Sequence, residues 1–328
     1  MRIAGFDTDE RVLVVAEIGN NHEGDVAVAR ELVEAAADAG ADAVKFQTFR
    51  VDAFVSPSDA ERYERMSRFQ LSPDAFAELA ELAHARSLAF LSTALDLDSV
   101  DALAPIVDAY KIASGDIDFF PLLEAVAAAG KPVVLSTGQS EPAEIERAVG
   151  VLGGSVGVLH CVSSYPAPEA EVNLRAIGVL AGLLPGCTIG FSDHTVGLDA
   201  APLAVACGAR IVEKHFTLDR DYSEFRDHAL SADPAGFREL VARIRTAEEL
   251  LGVPEKAVQP SERDARVAIR RSVAAARALP AGHRIAAADL IWTRPADGLR
   301  PGDEDSLVGR ALRRDVAQGE HVRADDVV

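Results

Sequence analysis

The chain has 328 residues, of which 48% are hydrophobic, and its 52 acidic against 33 basic side chains give a net charge of −19 at pH 7. A negative charge of this size argues against nucleic acid or an anionic membrane surface as a partner. The sequence contains neither a signal-peptide core nor an apolar span of membrane length, so we expect a soluble, cytoplasmic protein.

Eight short apolar runs, each followed by an amphipathic stretch, fill the first 250 residues. The runs are rich in Val, Ile and Leu and lack the alternation of a half-exposed sheet, as is typical of parallel strands buried on both faces. We predict strands at residues 12–19, 43–48, 89–94, 109–115, 132–138, 156–163, 188–194 and 209–218. We predict helices at residues 27–39, 73–86, 120–129, 142–152, 174–183, 198–207 and 234–251, with glycine caps such as Gly40 and Gly208.

A strand followed by a helix, repeated eight times, predicts a (β/α)8 TIM barrel over residues 1–252. An open doubly wound sheet is the alternative. The loop after the first strand, residues 17–24, is polar and acidic rather than glycine-rich, which disfavours dinucleotide binding and hence that alternative.

The sequence changes in character after Leu251. Residues 253–269 are charged and have little apolar periodicity, so we predict a linker with at most one helical turn near Ser261. Residues 270–328 contain an internal near-repeat, with residues 279–290 resembling residues 316–327. Two copies are too few for a solenoid, so we predict a small, pseudo-symmetric, β-rich domain of marginal stability on its own.

Lysine is rare in this chain, with five copies against 28 arginines, yet three lysines lie at or near predicted strand ends. These are Lys45, Lys111 and Lys214. The small hydroxyl residues Ser114 and Ser136 stand at neighbouring strand ends, each near a glycine. Because barrel enzymes build their sites at the carboxyl ends of strands, we expect a phosphate or a phosphorylated substrate to bind there.

Two of the eight histidines, His194 and His215, end strands that we predict to be adjacent. Imidazole nitrogens suit Mn, Fe, Co or Zn, and two ligands would leave open positions for water and substrate. A pair of hydrogen-bonding histidines without metal is the alternative. His22, in the loop after the first strand, is as well explained by a loop-ordering hydrogen bond as by catalysis.

Six motifs occur in an order and spacing that resemble the sialic acid synthase family over the whole chain. They are Ala16-Glu17-Ile18-Gly19-Asn20-Asn21-His22-Glu23-Gly24, Lys45-Phe46-Gln47-Thr48, Tyr110-Lys111-Ile112-Ala113-Ser114-Gly115, Leu135-Ser136-Thr137-Gly138, Ser192-Asp193-His194-Thr195 and Glu213-Lys214-His215-Phe216-Thr217-Leu218. The tail from Arg270 to Val328 resembles the antifreeze-like, or SAF, domain that closes those enzymes.

The resemblance implies a transferase that condenses phosphoenolpyruvate with an N-acetylated hexosamine and water, giving a nine-carbon 2-keto sugar acid and phosphate by C–O cleavage. It implies that a divalent ion, Mn²⁺ or alternatively Mg²⁺ or Co²⁺, binds His194 and His215 and polarises the sugar aldehyde. Residues matching the family's phosphoenolpyruvate contacts are Lys45, Lys111, Ser114, Ser136, Ser163 and Ser192, with Ser163 at a position where some members have asparagine.

On the sugar side, the matching residues are Glu17, Gln47, Tyr165, Glu213 and Asp227, with Glu17 or Glu213 as the group that moves protons. Arg294 matches a residue that the tail contributes to the site of a neighbouring subunit, where it touches the N-acyl group. The resemblance therefore also implies a domain-swapped homodimer.

Two other functions are alternatives to this one. An octulosonate- or heptulosonate-phosphate synthase would use a similar barrel, but it would need a further anion site and lacks such a tail. A carbohydrate-binding protein without catalysis is the second alternative, although retained strand-end lysines and histidines disfavour it. Within the family, N-acetylmannosamine and the diacetamido sugars that lead to legionaminic or pseudaminic acid differ at C4 and C6, and we expect residues 51–71 to distinguish them.

Overall fold

The computed structural model describes residues 1–328, which form two units, Met1–Gly252 and Val253–Val328. In the first unit, eight parallel strands close into a barrel in which the last strand pairs with the first. The predicted TIM-barrel architecture is therefore confirmed. None of the helices is long and apolar enough to cross a membrane.

The strands of the first unit are β1 (Arg2–Ile3), β2 (Phe6–Asp7), β3 (Leu13–Gly19), β4 (Ala43–Thr48), β5 (Ala89–Ala94), β6 (Ala109–Ile112), β7 (Val133–Ser136), β8 (Val156–His160), β9 (Thr188–Asp193) and β10 (Ile211–His215). Its helices are α1 (Val26–Asp38), α2 (Val51–Phe54), α3 (Ala60–Phe69), α4 (Pro73–Ala85), α5 (Leu97–Leu103), α6 (Phe120–Ala128), α7 (Pro142–Leu152), α8 (Ala176–Leu183), α9 (Ala200–Ala206), α10 (Arg226–Leu230) and α11 (Pro234–Leu251).

The barrel encloses one layer of apolar side chains near the amino ends of its strands and packs a larger core against the surrounding helices. The β1–β2 hairpin, which the sequence did not predict, adds Ile3 to the inner layer. Gly40 and Gly208 follow helices α1 and α9 with φ of +89° and +107°. Residues other than glycine rarely adopt this backbone conformation, so the predicted C-caps are confirmed.

Several strands are shorter at their carboxyl ends than the sequence predicts. Strand β6 ends at Ile112 and is followed by a 3₁₀ turn at Ser114–Asp116, and β7, β8 and β10 end two or three residues before the predicted limits. The residues beyond these ends are small or apolar, and neither type marks where strand pairing stops. The consequence is that Ser114 and Ser163 lie on the connections rather than on strands.

The second unit contains α12 (Arg263–Ile269), β11 (Ser272–Ala275) and β12 (Leu290–Thr293). Helix α12 lies in the segment that the sequence predicts as a linker, and its Val267 carbonyl accepts a hydrogen bond of 2.8 Å from the Ala296 amide. The helix is therefore joined to the tail by backbone pairing, and it belongs to the second unit.

The near-repeat of the tail is visible in its backbone hydrogen bonds. Leu279 and Val316 exchange two bonds of 2.9 and 2.8 Å, and each stands at the same place in its own copy of the repeat. Asp289 and Asp326, also equivalent, each accept a backbone amide bond three residues upstream and an arginine side chain. The predicted pseudo-symmetric module is thus two copies related by an approximate two-fold arrangement around a shared core.

Candidate functional site

A cavity of about 1200 Å³ opens at the carboxyl ends of the barrel strands. Its lining contains every first-unit residue that the resemblance to the family implies for the site. Those residues are Glu17, Lys45, Gln47, Lys111, Ser114, Ser136, Ser163, Tyr165, Ser192, His194, Glu213, His215 and Asp227. Arg294 lies in the second unit, on the exit from β12.

A buried cluster of two carboxylates and one ammonium occupies the junction of the first and last strands. Lys45 Nζ lies 3.2 Å from Glu17 Oε2 and 3.0 Å from Glu213 Oε2, and all three side chains are at most 5% exposed. The three residues come from β4, β3 and β10, which are neighbours because the barrel closes. Two negative charges against one positive charge leave the cluster able to hold an additional proton.

The two carboxylates differ in how well their charged forms are stabilised. Burial raises the pKa of Glu17, and although Lys45 opposes the effect, the pKa reaches about 7. Burial also acts to raise the pKa of Glu213, but Lys45, Lys111 and a 2.8 Å hydrogen bond from Ser192 Oγ outweigh it and the pKa falls to about 2. Glu17 Oε1 accepts one bond of 3.2 Å, from Gln47, and the neighbour of its Oε2 is the Lys45 ammonium, which it shares with Glu213. Glu17 is therefore the better place for the proton.

Alternation along β9 and β10 decides which side chains reach the cavity. Glu213 and His215 line it, whereas Lys214 between them faces away and is 1% exposed. Lys214 Nζ lies 3.0 Å from Asp193 Oδ2 and donates to the Thr195 carbonyl at 2.6 Å. The expectation that Lys214 belongs to a phosphate site is wrong, because successive side chains of a strand point to opposite faces.

The rings of His194 and His215 meet above this cluster, with centroids 5.5 Å apart. Burial lowers the pKa of both imidazoles, which keeps them neutral and able to act as ligands. His194 Nδ1 lies 2.8 Å from the Val162 carbonyl, which leaves Nε2 as the lone-pair nitrogen, and His215 Nδ1 is buried without a hydrogen-bond partner. No group of three or more His, Cys, Asp or Glu side chains is arranged around a metal position.

This pair fits a divalent ion of the Mn²⁺ type as a two-ligand site. Neutral imidazoles with free nitrogen lone pairs are suitable ligands, and an unpartnered buried nitrogen such as His215 Nδ1 is costly unless something occupies it. The remaining coordination positions would be left to water and substrate.

Small polar residues build the opposite side of the cavity. Lys111 Nζ donates to Ser136 Oγ at 2.6 Å, and burial lowers the pKa of Lys111 to about 8. The Gly138 amide lies 2.9 Å from Ser114 Oγ, and a Cβ at Gly138 would lie 2.1 Å from Ser163 Oγ. Hydroxyls, a glycine and one ammonium at this spacing form a concave surface that suits a phosphate or carboxylate group.

The mouth of the cavity is formed by connections rather than strands. Helix α3, in the segment predicted to distinguish sugars, contributes three arginines, Arg62, Arg65 and Arg68. Asp227, at the start of α10, is buried, and burial raises its pKa. Tyr165 stacks near His194, with ring centroids 4.3 Å apart, and the Arg226 guanidinium lies 5.0 Å from the Tyr165 ring.

Sequence reasoning missed several lining residues, among them Thr93, Asp116, Gln139 and Glu23. Thr93 was detectable, because it is the polar residue near the carboxyl end of β5, in the same position as the residues that were found. Asp116 and Gln139 lie in turns whose geometry has no local signature. His22 does not line the cavity; its Nδ1 accepts from the Gly24 amide at 3.0 Å, which is the loop-ordering role.

Comparison with known proteins adds to this geometry. A model of the NeuB family matches residues 32–256, and a model of the SAF domain matches residues 270–328. An uncharacterized protein of Methanocaldococcus jannaschii is 43% identical over 324 residues, covering 97% of this chain and 95% of that protein. The N,N'-diacetyllegionaminic acid synthase of Legionella pneumophila is 38% identical, covering 95% of this chain and 94% of that protein.

Among solved structures, the N-acetylneuraminic acid (sialic acid) synthetase of Leptospira borgpetersenii, crystallised with citrate, is 36% identical to this chain. Its TM-score is 0.74, and the match covers 78% of this chain and 90% of that one.

Proposed function

Because the chain belongs to the NeuB family, as its six motifs indicated, and ends in a SAF domain, we propose that it makes a nonulosonic acid by condensing phosphoenolpyruvate with an N-acetylated amino sugar. The observation that carries this proposal is the Glu17–Lys45–Glu213 cluster, which shares one cavity with the His194–His215 pair and with the Lys111–Ser136 surface. A proton-holding group, a metal-type ligand pair and an anion surface are the three components that this condensation requires.

Phosphoenolpyruvate is placed on the surface formed by Lys111, Ser114, Ser136, Ser163 and Ser192. Buried ammonium and hydroxyl donors bind its phosphate and carboxylate through charge-assisted hydrogen bonds. Lys45, held between Glu17 and Glu213, lines the same cavity and is the second ammonium assigned to phosphoenolpyruvate. Because both reactants are held in one cavity, the bimolecular reaction becomes effectively unimolecular.

The sugar aldehyde is placed at His194 and His215, and a divalent ion bound there would act as a Lewis acid on the aldehyde oxygen. Gln47, Tyr165 and Asp227 contact the sugar hydroxyls. As C3 of phosphoenolpyruvate bonds to the aldehyde carbon, Glu17 gives its proton to the aldehyde oxygen. Glu213 stays ionised and keeps Lys45 in place.

Water then adds to C2, which carries positive charge once C3 has formed its bond, and the proton released by that water returns to Glu17. The C2–O bond to phosphate breaks, the C2 hydroxyl becomes the ketone, and its proton leaves with phosphate. Atoms and charges balance, and Glu17 ends in the state in which it began.

For the sugar, we propose a 2,4-diacetamido-6-deoxyhexose of the kind that leads to legionaminic acid, with N-acetylmannosamine as the second candidate. The support is the greater identity to the Legionella synthase than to the neuraminate-9-phosphate synthases, which are 30 to 32% identical. Arg294 of a partner subunit would complete the pocket at the N-acyl group in a domain-swapped homodimer.

The test is phosphate release from phosphoenolpyruvate labelled with ¹⁸O in the bridging oxygen, with Mn²⁺ and each candidate sugar, with and without chelator. The proposal predicts chelator-sensitive release with one sugar and retention of the label in phosphate, as C–O cleavage requires. Release of unlabelled phosphate would exclude the mechanism, and no release with any sugar would exclude the function.

A further inference from the structure

His228 is fully buried behind the cavity, one residue after Asp227 on α10. Its Nδ1 lies 2.7 Å from Thr217 Oγ1, and its Nε2 lies 3.1 Å from Glu23 Oε1. Neither proton transfer nor substrate contact, as proposed above, uses this histidine. It joins the connection after β10 to the loop after β3, which are about 200 residues apart in the sequence.

Glu23 reaches this histidine from an unusual backbone conformation. Its φ is +48°, in the left-handed region that residues other than glycine rarely adopt. A residue keeps this conformation only where surrounding contacts hold it. The same carboxylate accepts a hydrogen bond from Ser223 Oγ. Ser223 Oγ in turn accepts a hydrogen bond of 3.0 Å from the Phe225 amide, so Glu23 orders the backbone of the connection through Ser223.

The same contacts extend to α3, the third wall of the cavity mouth. The ring of Phe225 lies 6.0 Å from the His228 ring and 5.2 Å from the Phe69 ring. Gly24, next to Glu23, approaches the α3 backbone so closely that a Cβ there would lie 1.9 Å from the Arg68 carbonyl oxygen. Three separate connections of the barrel therefore meet around His228 and Glu23.

We propose that Glu23 and His228 are positioning residues for the sugar: their hydrogen bond holds residues 216–227 over the cavity so that Asp227 faces the substrate. The proposal rests on the proposed function for the identity of the substrate. The surface proposed for phosphoenolpyruvate lies on β6, β7, β9 and the connections after β6 and β8, and neither Glu23 nor His228 has a hydrogen bond to it. Substitution of either residue should therefore change the KM for the sugar and leave the KM for phosphoenolpyruvate unchanged.

The first arm of the test measures hydrogen–deuterium exchange in peptides covering residues 218–228 of the full-length protein. Glu23→Ala removes the acceptor for both His228 and Ser223, and we expect exchange there to become about fivefold faster or more, as the loss of a hydrogen bond allows. Glu23→Gln keeps an acceptor and should restore most of the protection. His160→Asn is the matched control, because it breaks another histidine contact, 2.7 Å to the Val172 carbonyl, away from the cavity.

The second arm measures KM for sugar and for phosphoenolpyruvate with the same variants and with His228→Asn. We expect Glu23→Ala and His228→Asn to raise the sugar KM about fivefold or more while the phosphoenolpyruvate KM changes less than about twofold, and the double variant should be no worse than either single one. Unchanged exchange, or equal changes in the two KM values, would overturn the proposal. If wild-type protein releases no phosphate, the proposed function fails, and the exchange arm still decides whether these residues hold the connection.

Discussion

The buried floor of the cavity and its mouth are built from different parts of the chain. The floor consists of side chains at or next to strand ends, namely Glu17, Lys45, Lys111, Ser192, His194, Glu213 and His215, all at most 6% exposed. The mouth consists of connections, α3 and residues 216–227, and several of its side chains, such as Arg62 and Arg226, are exposed. Hydrogen bonding within the barrel fixes the floor, whereas only contacts between connections fix the mouth.

In the function we propose, this difference separates the groups that carry out the reaction from those that select the sugar. Barrel strands hold side chains in fixed positions, which suits groups that must meet the reacting atoms, and connections can vary without disturbing the barrel. Changes in the floor should therefore lower kcat, and changes in the mouth should raise the KM for the sugar. Four substitutions test that division.

His215→Ala should lower kcat by about 10³-fold or more, since one imidazole retains a divalent ion poorly and several kcal/mol of electrostatic stabilisation is lost. The fold should persist, because the side chain points into the cavity. Phosphate release measures the effect, and circular dichroism with thermal unfolding checks the fold. If the folded variant has the kcat of the wild-type protein, His215 is not needed for the reaction.

Glu17→Gln should lower kcat about 10²- to 10⁴-fold, the usual contribution of a positioned acid. Glu17, whose pKa is raised to about 7 by burial, acts as the protonated form in our proposal, so wild-type activity should fall as pH rises through that value. The pKa obtained from such a pH profile would belong to the whole cluster of Glu17, Lys45 and Glu213, because the three groups titrate together. If Glu17→Gln still loses activity as pH rises through this value, another group is responsible for the pH dependence.

Gly138→Ala should raise the phosphoenolpyruvate KM about tenfold, equivalent to about 1.4 kcal/mol, without changing the sugar KM. The new Cβ would displace Ser163 Oγ, 2.1 Å away, into the anion surface. Adding Ser163→Ala removes that oxygen and should recover part of the loss. If both KM values rise together, the surface around Gly138 and Ser163 does not bind phosphoenolpyruvate alone.

Arg294→Ala should raise the sugar KM about fivefold, the scale of a single hydrogen bond, and leave the phosphoenolpyruvate KM unchanged. Arg300→Ala, an exposed arginine of the same unit with no side-chain hydrogen bond or ion pair, is the control. Dimerisation measured by analytical ultracentrifugation accompanies the kinetics. An active monomer, or equal effects of the two variants, would contradict a site shared between subunits.

The sequence was informative where the relevant pattern is local. Apolar runs alternating with amphipathic stretches predicted the eight-stranded barrel, and the Gly-aliphatic-Asp-aliphatic repeat predicted the pseudo-symmetric tail. Polar residues ending the runs identified part of the cavity lining of the first unit, and the resemblance to the family supplied further lining residues and the roles of all of them. The extents of β6, β7, β8 and β10 were overestimated, because the small and apolar residues that follow these strands give no local signal of where pairing ends.

What the tertiary structure decided concerns residues that are distant in the chain. Closure of the barrel pairs β10 with β3, and only this pairing brings Glu213 beside Lys45 and Glu17. In that cluster burial raises the pKa of Glu17, whereas Lys45 and Lys111 lower the pKa of Glu213. Strand orientation turned Lys214 away from the cavity, and the meeting of three connections around His228 has no counterpart in any local pattern. Local sequence fixes which side chains stand at strand ends, whereas charge, burial and proton position depend on neighbours that only folding supplies.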